Sequence, residues 1–253
     1  MIIMIKIGAS TLATLYDSLN DSLNFIEGLG INYVELLHQY PNEEIDTDIL
    51  SVFDLKYTIH APFMDVNIAA LGRSSRENSI SQIKNSIDLA SEIDAKAVVV
   101  HPGLIPFLAK EHPEKIYEVC EKSVREFGDY SNDLGVNTTI ENMPNFESMI
   151  HQDLNRLNEL VVDANLGMTL DIGHANHCKI SADEMYFDSI KHIHIHDNLG
   201  DDDSHLALGE GSIDLNHIID IFQKKNYDGI YMIEVNNKDS IKKSFEFLKK
   251  INK

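Results

Sequence analysis

The sequence predicts an α/β protein folded as one (β/α)8 TIM barrel, a single domain over residues 1–253, and three observations carry that prediction. Eight short runs rich in β-branched residues recur along the chain, amphipathic stretches of helical length separate them, and no linker, low-complexity tract or Pro/Gly-rich boundary divides the sequence. Strict strand-helix alternation implies parallel strands, and eight such units in about 250 residues fit a closed barrel.

The predicted strands are 4–8 (MIKIG), 31–36 (INYVEL), 56–60 (KYTIH), 97–101 (AVVVH), 137–141 (NTTIE), 167–171 (GMTLD), 191–195 (KHIHI) and 229–235 (GIYMIEV). Each is short and apolar, as a strand covered on both faces should be. The clearest helix is 75–93, where Ile80, Ile83, Ile87 and Leu89–Ala90 recur near a period of 3.6. Further helices are expected over 113–134, 150–162, 212–225 and 238–251, and the segments around 12–28, 43–53 and 181–189 complete the set.

Charge and composition narrow the function classes without excluding nucleic acid, because a few local cations or bound metals can still meet a phosphate. The net charge is −20 and the arginines are only four, so a broad basic surface for nucleic acid is not expected. Cys120 and Cys178 are too few for a disulfide framework and lack the paired spacing of a zinc ribbon, which fits a reducing cytoplasm. The opening MIIMIKIGAS is too short in its apolar stretch for a signal sequence or a membrane span, so a cytoplasmic, membrane-free protein is the expectation.

Active sites of this fold form where the C-terminal ends of the strands meet the following loops. Those ends carry Glu35, His60, His101, Glu141, Asp171, the segment His194 to Asp197, and Glu234. Seven consecutive strands thus bring a carboxylate or an imidazole to one rim. Carboxylates crowded there would repel one another unless cations neutralised them, and nitrogen and oxygen donors suit zinc, manganese, iron or cobalt. A metal-free carboxylate pair would use two of these residues and leave the histidines without a role.

In TLDIGHANH, Asp171 ends a strand, Gly173 is expected to make a tight turn, and His174 returns to the rim. His177 reads as an exposed loop histidine. In KHIHIHD the period of two puts His192, His194 and His196 on one face and Ile193 and Ile195 on the other. His192 is expected one layer down, as buried support, and His194 as the ligand.

The motifs IHAPF, VVVHPG, IEN, LDIGHA, HIHIHDN, HLALGEG and YMIEV resemble, in order and over nearly the whole chain, the xylose-isomerase-like barrel superfamily. That superfamily holds sugar and sugar-phosphate isomerases and epimerases together with endonuclease IV, the AP endonuclease family 2 enzyme. The resemblance implies a central divalent metal, zinc or manganese, held by Glu141, Asp171, His194 and Glu234. In the isomerases and epimerases Glu141 and Glu234 would be the catalytic pair, exchanging a proton with a metal-bound sugar or sugar phosphate.

The nuclease resemblance adds further metal ligands, giving up to three ions: His60 and His101 beside Glu141, and His174, Asp203 and His205 together. Abasic DNA would then be the substrate, and phosphoester hydrolysis the reaction. Several epimerases place an arginine near the position of His205, but this chain has none beyond Arg156. Phe63 and Met64 follow the His60 loop, where an apolar pair fits a pocket wall, and Glu35 and His38 are candidate contacts to a substrate hydroxyl. A barrel that binds metal or sugar without catalysis is a third possibility, which the presence of both glutamates disfavours.

Overall fold

Each strand of the barrel is parallel to both neighbours. The computed structural model describes residues 5–251, so Met4, the first residue of the first predicted strand, lies outside it. The strands are β1 Lys6–Ser10, β2 Tyr33–Leu37, β3 Lys56–His60, β4 Val98–Val100, β5 Thr138–Glu141, β6 Gly167–Asp171, β7 Ile190–Ile195 and β8 Ile230–Ile233. They pair in sequence order and β8 closes back onto β1, with Ile7 opposite Tyr231. All eight predicted strands overlap their observed counterparts, and 56–60 and 167–171 agree at both ends.

The helices are α1 Leu19–Gly28, α2 Thr47–Leu50, α3 Arg73–Glu92, α4 Pro113–Leu134, α5 Leu154–Asp163, α6 Ile172–His177, α7 Leu215–Lys224 and α8 Lys238–Ile251. Local chemistry sets their ends. Pro113 opens α4, where its missing N–H costs nothing, and Gly135 closes it at φ +70°. Asp153 and Asp214 cap α5 and α7 by accepting from backbone N–H groups of the first turn. Each long helix buries one stripe, as α7 does with Leu215, Ile218, Ile219 and Phe222. Each such side chain contributes ~1.5–3 kcal/mol on burial.

Three predicted segments differ from the structure. The chain over 43–53 forms only the single turn α2, which Asp46 caps and Ser51 ends. The stretch 181–189 holds just a 3-10 turn, Ala182–Glu184, closed by a Ser181–Glu184 capping box. Beyond it Tyr186 packs edge-on against Phe222, 5.3 Å between ring centres, which ties the segment to α7. Conversely, α6 starts directly where β6 ends, at the place a tight turn was expected. Asp171 caps it by accepting from His174 N at 2.7 Å, so the same carboxylate that reaches the rim also starts the helix.

The apolar core lies between the strands and the helical layer, and β7 shows the division. Ile193 and Ile195 are buried in that core, while His192 and His194 face the barrel interior and meet residues of β2 and β5. Among the described residues no helix is long and apolar enough to cross a membrane.

Candidate metal centre

His194 is the hub of the rim. Its Nδ1 lies 2.9 Å from Glu141 Oε1, 3.2 Å from Glu234 Oε2 and 4.0 Å from Asp171 Oδ2. One donor atom from each of these four residues falls within 4.8 Å of the others. On the other edge of the ring, Nε2 lies 3.0 Å from Glu35 Oε1. Glu35 also accepts from the Thr58 hydroxyl at 3.0 Å and pairs with His192 Nε2 at 3.1 Å. The ring of His194 therefore stands between two sets of carboxylates: Nδ1 faces Glu141, Glu234 and Asp171 and shares a hydrogen bond with Glu141, while Nε2 faces Glu35 without one.

A second cluster sits beside the first. His174 Nε2 and His205 Nε2 lie 3.3 Å and 3.4 Å from Asp203 Oδ2, and His196 Nε2 lies 3.4 Å from Asp203 Oδ1. Their other nitrogens are fixed by backbone: Nδ1 of His174 donates to Asn142 O at 2.7 Å, and Nδ1 of His205 to Glu234 O at 2.9 Å. His205 takes φ +45°, a left-handed conformation that histidine tolerates better than most residues. On the opposite flank His101 Nε2 and His60 Nε2 lie 3.0 Å and 3.5 Å from Glu141 Oε2, and His60 Nδ1 donates to Ala61 O at 2.8 Å. Phe63 stacks on His101 with ring centres 4.8 Å apart.

These donors fit a divalent cation. Glu141 Oε2, Asp171 Oδ2, His196 Nε2 and Asp203 Oδ1 are buried, yet none has a hydrogen-bond partner, although imidazole or carboxylate atoms stand 3.0–4.0 Å from them. Such atoms approach lone pair to lone pair, an arrangement that costs free energy unless a cation lies among them. The donor set is imidazole nitrogen and carboxylate oxygen, which suits zinc, manganese or cobalt.

Electrostatics agree with this geometry. Burial alone would raise Glu141, but His194 and His101 outweigh it and hold its carboxyl well below the usual range. Burial likewise opposes charge on His174 and His205, yet Asp171 and Asp203 lift His174 to about 10, and Asp203 with Glu234 lifts His205 to about 9. The cluster therefore holds positive charge strongly, whether as protons or as a metal.

The structure brings His60, His101, Glu141, Asp171, His174, His194, Asp203, His205 and Glu234 to one rim. Phe63 joins seven of them, all but Asp171 and His194, in lining a cavity of about 210 Å³. Glu35 is placed differently: it is fully buried behind His194 and does not line that cavity, so a substrate hydroxyl does not reach it. His38 lines a separate groove and is tied to Ser86 and to Glu43 O. His177 is buried within α6 with its ring edge-on to Phe146, not exposed on a loop. Asp197 also turns away from the rim, accepting from the N–H groups of Asn198, Gly209 and Ile213. Gly173 does not make a turn; a Cβ there would lie 2.0 Å from His196 Cε1, so the glycine makes room for that ring. His196 is the donor that sequence reasoning missed, although its period-two relation to His194 was the available signal.

Fold and rim together define a (β/α)8 protein with adjoining clusters of histidine and carboxylate side chains that could hold metal ions. The xylose isomerase-like TIM barrel family matches residues 23–251, and the chain belongs to that family. Protein MJ1311 of Methanocaldococcus jannaschii is 33% identical over 96% of this chain and 88% of its own length. Fructoselysine 3-epimerase of Shigella flexneri is 25% identical over 63% of this chain and 59% of its own. Among solved structures, a D-tagatose 3-epimerase-like protein superposes with a TM-score of 0.89 at 31% identity, covering 98% of this chain and 97% of its own. A D-psicose 3-epimerase solved in the presence of D-fructose reaches a TM-score of 0.82 at 15% identity over 98% of this chain and 99% of its own, a likeness of fold.

Proposed function

We propose that this protein is a divalent-metal-dependent epimerase or isomerase of a small keto sugar without a phosphate group. The observation that carries the reading is the cavity itself. At about 210 Å³ it is smaller than the ~300–1,000 Å³ of sites for drug-sized ligands, and it exposes Glu141 and Glu234 beneath Phe63, Leu104 and Met149. Neither lysine nor arginine lines it, so nothing but the metal centre would meet a phosphate. The likeness to a fructoselysine 3-epimerase and to a D-tagatose 3-epimerase-like protein supports the same class.

A divalent cation held by Glu141, Asp171, His194 and Glu234 would supply Lewis-acid polarisation of the substrate carbonyl, which acidifies the neighbouring C–H. Glu141 and Glu234 flank His194, each within 3.2 Å of its Nδ1. One carboxylate takes the proton from the carbon beside the carbonyl and the other returns a proton to that carbon, which inverts it when the two act on opposite faces. His194 favours the ionised form of both groups against the cost of burial, so either can act first as base, and the other delivers a proton to the opposite face only after taking one up from solvent. The apolar roof of Phe63, Leu104 and Met149 limits the access of bulk water to the reacting atoms.

Cleavage of abasic DNA is not favoured by the surroundings. A groove that shares Val66 with the cavity is lined by Glu43, Glu44, Asp65, Asp88 and Glu92, and these carboxylates would repel a phosphate backbone. The test is proton exchange in D2O, followed by NMR, on a panel of ketopentoses and ketohexoses with protein loaded with zinc, manganese or cobalt. Deuterium should enter at the carbon beside the carbonyl as the epimer or isomer accumulates, and E141Q and E234Q should each lower the rate by ~100-fold or more. Full exchange in either variant, or metal-dependent nicking of an abasic duplex without any sugar exchange, would overturn the proposal.

A further inference from the structure

We infer that His196 is a fourth protein ligand at the second cluster, so that His174, His196, Asp203 and His205 form a closed, structural zinc site rather than one open to water or substrate. The inference concerns the metal centre and not the sugar, so it stands or falls separately from the reaction proposed above.

The donor atoms of these four residues lie within 4.8 Å of one another. A tetrahedron whose ligands sit ~2.0–2.1 Å from zinc has edges of about 3.3–3.4 Å. His174 Nε2 and His205 Nε2 share Asp203 Oδ2 at 3.3 and 3.4 Å, edges of that length, while His196 Nε2 faces the other oxygen, Asp203 Oδ1, at 3.4 Å and Asp171 Oδ1 at 3.2 Å. His196 also repeats the pattern of its neighbours. Its Nδ1 faces a backbone carbonyl, that of Asp197 at 3.4 Å, as Nδ1 of His174 and His205 do, leaving Nε2 free of any hydrogen bond and set between the carboxylates of Asp203 and Asp171. Backbone anchorage of one ring nitrogen is what fixes a histidine tautomer for metal binding by the other.

The local sequence accommodates this ring at a cost. Gly173 stands inside α6, where alanine would favour the helix, and the absent Cβ leaves space that His196 fills. The ring stacks on His205 with centres 3.9 Å apart, which holds both Nε2 edges side by side. Four protein donors complete a tetrahedral zinc shell, and a shell so completed has no position for a nucleophilic water. The site would then tie α6, β7 and the 199–206 loop to the end of β8, because His205 Nδ1 also holds Glu234 O. Its work is to brace the wall that carries Glu234.

The experiment uses chelator-stripped full-length protein titrated with Co(II), read by its visible absorption. E141A disables the central site and the His60/His101 flank together, and it should retain one intense tetrahedral cobalt band. Adding H196A should abolish that band, weaken cobalt binding beyond the ~10–100-fold that loss of an outer-shell partner costs, and let free imidazole restore the band. X-ray absorption of Zn-loaded E141A, which needs no change at His196, should show three imidazoles and one oxygen with no water. An unchanged band in the H196A background, fewer than three imidazoles, a water in the shell, or no metal at this position would each overturn the inference.

Discussion

Glu35 carries no surface, and its carboxylate is divided among Thr58, His192 and His194. Removing it would leave His194 without the carboxylate 3.0 Å from its Nε2, and would strip the buried His192 ring of the one carboxylate within ion-pair distance among the described residues. A substrate contact and a positioning residue differ in what they change. As a positioning residue, Glu35→Ala should weaken metal binding at the central site by ~10–100-fold, measured by competition with a chromogenic chelator before any sugar is added. Unaltered metal affinity would return Glu35 to the role that its place at a strand end suggested. The sequence showed that a carboxylate stands near the end of β2, but not how deep it lies. Depth depends on β2 pairing Glu35 with Thr58, a register set by tertiary structure.

The segment from Asp197 to Ile213 is held chiefly by one side chain. Asp197 accepts three backbone N–H groups, from Asn198, Gly209 and Ile213, and its own backbone pairs with Leu206 in both directions. Gly211 closes against the same carboxylate, since a Cβ there would lie 2.2 Å from Asp197 Oδ1. This loop delivers Asp203 and His205, so Asp197→Ala should loosen it by leaving those donors unpaired, each at ~1–3 kcal/mol where water cannot reach them. Hydrogen exchange should rise across 198–213 while β6, β7 and β8 stay protected; exchange that rises evenly through the barrel, or nowhere, would contradict this anchoring role. At this scale much was legible beforehand. The alternation of apolar runs located every strand, and the ends of α4 could be read from Pro113 and Gly135. The misassignments share a cause: Gly173 and Asp197 were judged as turn and rim residues from type alone, whereas α6 and the LGEG turn recruit them as a space and an anchor.

Across the whole molecule, pH acts on stability through groups far from the rim, and His151 is the clearest. It is buried with neither ring nitrogen hydrogen-bonded, its ring set edge-on to Tyr117, and burial with the nearby Arg156 charge pushes its pKa down to about 4. In the unfolded chain an imidazole titrates near ~6.5. Between those values the unfolded state binds more protons than the folded one, so stability must fall as pH drops from about 6.5 toward 4, by roughly 3 kcal/mol if the whole difference is expressed. The surface acts in the opposite direction below that window, because protonating carboxylates relieves the repulsion of a chain with net charge −20. Metal loss in acid would obscure both effects, so the comparison belongs in metal-free protein. His151→Asn removes the titration and suits the left-handed backbone there, φ +58°. Urea unfolding of the two proteins from pH 7 to 4 should give a wild-type curve that falls more steeply, with the gap between them shrinking as acid is added. Parallel curves would mean that His151 is protonated within the fold, and that its burial carries no penalty for charge.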